Sequence, residues 1–208
     1  MIVVHHLNES RSQRILWLLE ELQAPYEIVF YQRDARTGLA PVELREIHPL
    51  GKSPVITEGD RVIAESGAII DYIIRRHGEG RLQPDPSSEL YDEYVQWLHY
   101  AEGSAILPLV MKTLTLRVGK VLAPLGRQAD SEVALHLGFI NEKLAGRDFL
   151  LGDELTAADV QMSFVGELAG AVIDRGAYPN IEAWRRRFQA RPAYQAALAR
   201  GGPSRLAQ

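Results

Sequence analysis

The hydrophobic pattern of this chain changes its period once, and that change constrains the fold more than any other feature. Before residue 78, short β-branched runs alternate with helical stretches; after residue 88, every apolar pattern repeats near 3.6 residues. The segment between them, residues 78–88, reads Gly-Glu-Gly-Arg-Leu-Gln-Pro-Asp-Pro-Ser-Ser, a run of turn formers and helix breakers. A chain of 208 residues is long enough for two small domains at about 150 residues per ordinary domain. The pattern therefore predicts a small α/β domain over 1–78, a linker over 79–88 and an all-α helical bundle over 89–208.

Within the first part, Ile2 to Leu7 reads as a strand, and Asn8-Glu9-Ser10 as a polar turn opening a helix. Ile15, Leu18, Leu19 and Leu22 give that helix its apolar face, and Pro25 bounds it. Tyr26 to Tyr31 reads as a second strand, residues 32–40 as a polar loop, and Pro41 to Ile47 as a short helix. Val55-Ile56-Thr57 and Arg61-Val62-Ile63-Ala64 flank the turn Glu58-Gly59-Asp60 as a hairpin. Ser66 then starts a helix with Ile69, Ile70, Ile73 and Ile74 on one face.

In the second part, four apolar faces stand out. They are Leu90/Tyr94/Trp97/Leu98/Ala101, Val133/Leu137/Ile140/Leu144, Val160/Phe164/Val165/Leu168 and Ile181/Trp184/Phe188. Thr156 and Asp159, three residues apart before an apolar run, form a capping box with Asp in the usual Glu position. Leu155 and Val160 are placed to staple it.

Composition narrows the chemistry. With 23 basic and 27 acidic side chains the net charge is −4, unlike a dedicated nucleic-acid binder. The cluster Arg185-Arg186-Arg187 with Arg191 is read as a solvated helix face. No apolar run approaches the roughly 20 residues of a membrane span, and the start is no signal peptide, so the cytoplasm is the expected compartment. There is no cysteine, hence no disulfide, thiolate metal site or cysteine nucleophile; any thiol chemistry needs a thiol brought by a ligand. Neither HExxH nor a His cluster is present, and no metal is expected.

Four stretches together resemble a cytosolic glutathione transferase of the serine type. They are Ser10-Arg11-Ser12-Gln13-Arg14, His48-Pro49-Leu50-Gly51-Lys52-Ser53-Pro54, Ala64-Glu65-Ser66-Gly67-Ala68-Ile69, and Gly152 to Asp159. The wording of the middle two is similar to a bacterial and fungal subgroup. The resemblance spans nearly the whole chain. It implies a thioredoxin-like N-terminal domain, an all-helical C-terminal domain, glutathione as co-substrate and a homodimer.

The resemblance also implies roles. Ser10 would donate a hydrogen bond to the glutathione thiolate, with Asn8 as the rival donor in the same turn; read from periodicity alone, Ser10 is a helix cap. Ser12 lies further into the helix and is expected to point elsewhere. Arg14 is expected to be structural, and Arg11 to face either the site entrance or solvent. Pro54 would be cis, with Ser53 offering its backbone to the cysteinyl unit, although family members often carry Val there. Lys52 would face the glycyl carboxylate or solvent. Ser66 would hold the γ-glutamyl carboxylate at a helix N-terminus, and Glu65 the α-ammonium. Tyr100, Leu107, Met111 and Leu114 are candidates for the wall of an apolar second-substrate pocket. His99 or Glu102 would reach across a dimer interface. The expected activity is attack of the thiolate on electrophiles, as in detoxification, or reduction of a hydroperoxide; isomerase and dehalogenase activities stay open. The other class of reading is a non-catalytic binding or regulatory module of the same fold.

Overall fold

A computed structural model describes residues 1–119 and 123–207. The chain divides into two compact units, 1–82 with 189–208, and 83–188. In the first unit the order is β1 (Ile2–Leu7), α1 (Ser12–Leu22), β2 (Tyr26–Tyr31), α2 (Leu44–Ile47), β3 (Val55–Glu58), β4 (Arg61–Ala64) and α3 (Ser66–His77). The four strands lie in the order β2-β1-β3-β4. β1 pairs in parallel with β2, Ile2 opposite Tyr26, and antiparallel with β3, Val4 opposite Ile56. A parallel pair needs a crossover, and α1 supplies it. This mixed sheet with its helices is the expected thioredoxin-like arrangement.

The register decides where a site can form. Val55 opposes both His5 of β1 and Ala64 of β4. The carboxyl end of β1, the start of β3 and the end of β4 therefore share one end of the sheet. The stretches that follow or precede them, 8–12, 52–54 and 65–66, emerge there together.

Three local expectations are corrected. α1 begins at Ser12 rather than Ser10, because residues 8–11 form the turn that reverses the chain out of β1. The helix expected over 41–47 is confined to Leu44–Ile47, one turn anchored by fully buried Leu44. The last twenty residues, assigned from sequence to the helical domain, group instead with the first unit. The cause is α9 (Pro192–Gly201), which packs on α1. Tyr194 meets Trp17 edge to face with centroids 5.4 Å apart, and both rings are buried. Arg191 clamps the Glu21 carboxylate with two bonds of 2.5 and 2.8 Å, and Arg200 holds Glu20 while lying over the Tyr26 ring. The expected linker is ordered in its first part, where Arg81 donates to the backbone carbonyls of Gly78 and Leu22.

The second unit contains α4 (Leu90–Tyr100), α5 (Ile106–Val118), α6 (Ala123–Lys143), α7 (Ala157–Val172) and α8 (Pro179–Gln189), with a π-helical turn over Ala101–Ala105. Of the expected apolar faces, those of α6 and α8 are buried throughout, whereas Leu90 is 48% exposed at the start of α4. The capping box forms, and Asp159 does more than cap. Its carboxylate accepts from the Leu150 N–H and Trp184 Nε1 as well as from the Thr156 N–H and hydroxyl. Burial pushes its pKa up, and these four donors oppose that push. Arg185, read as part of a solvated cluster, is buried and pairs with Glu182 in a two-pronged contact. Among the described residues no helix is long and apolar enough to cross a membrane.

Candidate functional site

The site is built at the shared end of the sheet in the first unit. Ser10 follows β1 by three residues and is 8% exposed. Its Oγ accepts from the Ser12 N–H at 3.2 Å, a bond that fixes the turn into α1. It also lies 2.7 Å from the Ser12 hydroxyl. Ser12 therefore does not point elsewhere, as expected from its place in the helix; its fully buried hydroxyl faces Ser10 on one side and His6 Nδ1, 2.8 Å away, on the other.

Asn8 is held differently. Its side-chain oxygen accepts from the Arg33 N–H, and the Arg33 guanidinium donates to the carbonyls of Asn8 and Glu9. Arg33 thus clamps the turn that carries Ser10, a role no local pattern around residue 33 announced. Glu9 sits at φ 52°, so this turn includes a left-handed non-glycine residue.

The Ser53–Pro54 peptide is cis, as the resemblance implied. Ser53 Oγ donates to the His5 carbonyl at 2.9 Å, tying this loop to β1. The strand ladder begins only at Val55, two residues on. Lys52 is exposed. Glu65 is exposed at φ 68°, ψ 119°, and directly precedes buried Ser66, the first residue of α3. Such a backbone costs about 1–3 kcal/mol and is kept where surrounding structure enforces it, as at ligand clamps. Arg14, 2% exposed, donates to Ser66 Oγ at 3.2 Å and so joins α1 to α3 across the sheet end. Ser10, Ser53 and Ser66 are thereby each tied to the same few residues around β1 and the first turns of α1. The N-termini of α1 and α3, with their positive dipole ends, both lie at this end of the sheet.

The second-substrate candidates lie in the other unit. Tyr100 meets Trp97 and Phe139 edge to face and His136 at a tilt, and its hydroxyl is 2.6 Å from His136 Nδ1. Burial pushes its pKa up to about 12, so the phenol keeps its hydrogen. Leu107 and Leu114 are 58% and 49% exposed on α5, with Met111 half-buried between them. They form an apolar strip at i, i+4, i+7. Among the described residues no group of acidic, His or Cys side chains is placed to hold a metal ion.

Comparison with known proteins decides the family. The family model of the glutathione S-transferase N-terminal domain matches residues 1–75, and that of the C-terminal domain matches residues 104–192. The chain belongs to the glutathione S-transferase family. Glutathione S-transferase 3 of Schizosaccharomyces pombe is 32% identical, covering 93% of this chain and 85% of its own. Glutathione S-transferase 1 of Saccharomyces cerevisiae is also 32% identical, covering 94% and 93%. A glutathione S-transferase structure from Actinobacillus pleuropneumoniae superposes with a TM-score of 0.89 at 35% identity, covering 100% of this chain and 96% of that one. A glutathione transferase homolog from Sulfitobacter, solved with bound glutathione, shares the fold with a TM-score of 0.79 at 22% identity over 97% and 98% of the two chains.

Proposed function

We propose that the protein is a glutathione transferase that activates the bound thiol with Ser10. The observation that carries this reading is the position of the Ser10 hydroxyl. It stands at the carboxyl end of β1, held by the Ser12 N–H just before the first turn of α1, at the sheet end that also carries the cis Ser53–Pro54 peptide and the N-terminus of α3. Relatives named glutathione S-transferase and a shared fold with a glutathione-bound homolog support it.

The chemistry follows from the thiol. A cysteine thiol has a pKa of about 8.5, so little thiolate exists at neutral pH. Lowering it by two units takes about 2.7 kcal/mol of preferential thiolate stabilisation. A hydroxyl donor and a helix N-terminus supply that kind of stabilisation. In this reading Ser53 pairs its backbone with the cysteinyl unit, Ser66 holds the γ-glutamyl carboxylate, Glu65 meets the α-ammonium and Lys52 the glycyl carboxylate. Asn8 stays the rival donor through its side-chain NH2, its oxygen accepting from the Arg33 N–H. The apolar strip of Leu107, Met111 and Leu114, with Tyr100, is proposed for the electrophile. The thiolate attacks the electrophile directly, and the protein forms no covalent bond. With a hydroperoxide, two glutathiones are oxidised to the disulfide, and the peroxide becomes an alcohol and water. A homodimer and a role in removing electrophiles belong to the same proposal.

The test is the ultraviolet absorbance of the thiolate, titrated against pH with glutathione bound. The wild-type thiol should titrate well below its free value, and Ser10→Ala should raise it. A bound thiol that titrates at its free value points instead to a non-catalytic module of this fold.

A further inference from the structure

Ser10 does not stand alone. Its hydroxyl is the outer end of a buried chain that runs Ser10 Oγ, Ser12 Oγ, His6 Nδ1, with links of 2.7 and 2.8 Å. Ser12 is fully buried and His6 is 3% exposed. The chain has a defined direction at rest. Burial lowers the His6 pKa, so the ring is neutral and carries one N–H. The Gly201 backbone at the end of α9 is the ring's other polar partner and favours its protonated form. In a neutral ring with its hydrogen on Nε2, Nδ1 is an acceptor. The Ser12 hydroxyl has two acceptors within reach, His6 Nδ1 at 2.8 Å and the Leu7 carbonyl at 3.3 Å, and the nearer one sets the resting direction of the chain. With Ser12 turned to His6, the Ser10 hydroxyl can donate to Ser12, which leaves the Ser10 oxygen a lone pair for a group outside.

We infer that Ser12 and His6 are positioning residues for Ser10, forming a relay that takes the thiol's proton inward to His6 as the thiolate forms. The inference rests on Ser10 being the thiolate's donor. The balance is simple. The thiol S–H gives its proton to Ser10 Oγ, Ser10 passes its own to Ser12 Oγ, and Ser12 passes its own to His6 Nδ1. No proton is gained or lost, and the sulfur becomes a thiolate while the imidazole becomes an imidazolium. Each hydroxyl now donates outward, Ser12 to Ser10 and Ser10 to sulfur, which is the direction an anion requires.

The surroundings of His6 bear on its new charge. Ser12 and Gln13 belong to α1, the Phe30 ring stands edge-on from β2, and Gly201 is the backbone partner from α9. On its open side His6 lines a cleft of about 500 Å3 with Glu9, Tyr31 and Arg205. Glu9 and Arg205 are the charged groups of that cleft. The Glu9 carboxylate is fixed there by the Arg205 backbone N–H.

Because coupling between two sites is reciprocal, a thiolate that raises the proton affinity of His6 has its own pKa lowered by the same factor. The experiment follows the His6 ring nitrogens by NMR against pH with glutathione or S-methylglutathione bound, and the thiolate absorbance of bound glutathione in parallel. Glutathione should raise the His6 pKa by about 0.7 unit, a fivefold coupling, relative to the thioether, which has no proton to give. Ser12→Ala should remove that difference and raise the thiol pKa by a similar amount, and Ser12→Thr should restore both. Identical His6 titrations with the two ligands overturn the relay, and this comparison needs no variant to fold. If Ser10→Ala raises the thiol pKa while Ser12→Ala does not, the relay fails and Ser10 stands. If Ser10→Ala leaves the thiol unchanged, the reading of Ser10 fails and the relay falls with it.

Discussion

In the proposed reaction one hydroxyl, on Ser10, has to favour a charged sulfur over a neutral one. A hydrogen bond to a charged group is worth roughly 1.5–3 kcal/mol. Ser10→Ala should therefore lower kcat/KM by about tenfold to a hundredfold with little change in the KM for glutathione, as steady-state kinetics will show. Ser66→Ala should behave in the opposite way. It removes a group assigned to binding the γ-glutamyl carboxylate, so the KM for glutathione should rise about tenfold while kcat holds. At this scale the sequence was legible in part. Ser10, Pro54 and Ser66 stand in short motifs that point to one family only when taken together in their order and spacing. Arg33 and His6 do not. Each acts through a partner more than five residues away in sequence: Arg33 through Asn8, and His6 through Ser12 and Gly201. The burial of Ser12 against both neighbours was likewise invisible to helical periodicity, because the helix starts two residues later than its motif suggested.

Among the elements, α7 shows how a local signal acquires a tertiary task. The Thr156/Asp159 box is readable from spacing, and by itself such a cap is worth about 1 kcal/mol. In the folded protein Asp159 also takes the Trp184 and Leu150 N–H groups. Asp159→Ala leaves these buried donors without their acceptor, so it should cost about 3 kcal/mol or more, measured by urea unfolding. Gly166, on the same helix, lies so close to Trp184 that an added Cβ would sit 2.5 Å from the indole. Gly166→Ala should destabilise by about 1–3 kcal/mol through overpacking, although alanine is the better helix former.

For the molecule as a whole, titration and the C-terminal segment matter most. His5 and His6 both have pKa values lowered from 6.5 by burial. Between their folded values and 6.5 the unfolded chain binds more protons than the native one, so stability rises with pH through that window and falls as pH drops below about 6.5. The Tyr72 hydroxyl holds Glu58 below its ordinary 4.5, which adds stability present above that value and lost as pH falls through the folded one. Urea midpoints should accordingly fall from pH 8 to 5.5 and fall again below pH 4.5. Deleting residues 190–208 removes Tyr194, Arg191 and Arg200 from α1. It should expose Trp17, red-shifting its fluorescence, and lower the midpoint of the first unit.

By itself the sequence determined the order and type of the elements up to α3 and of four helices after it, the change from an α/β part to a helical part, and motifs that resemble those of the glutathione transferase family. These are properties of periodicity, turn residues and short spacings, which depend on neighbours a few positions away. Only the tertiary structure decided that the last helix belongs with the first unit. No short-range pattern names its partner; Trp17, Glu20 and Glu21 on α1 supply it. It also decided that Arg185 is buried rather than solvated, since a charge run carries no sign of the carboxylate that will neutralise it. And it alone joined His6, Ser12 and Ser10 into one line, because a strand end, a helix start and the end of α9 meet only when the chain has folded.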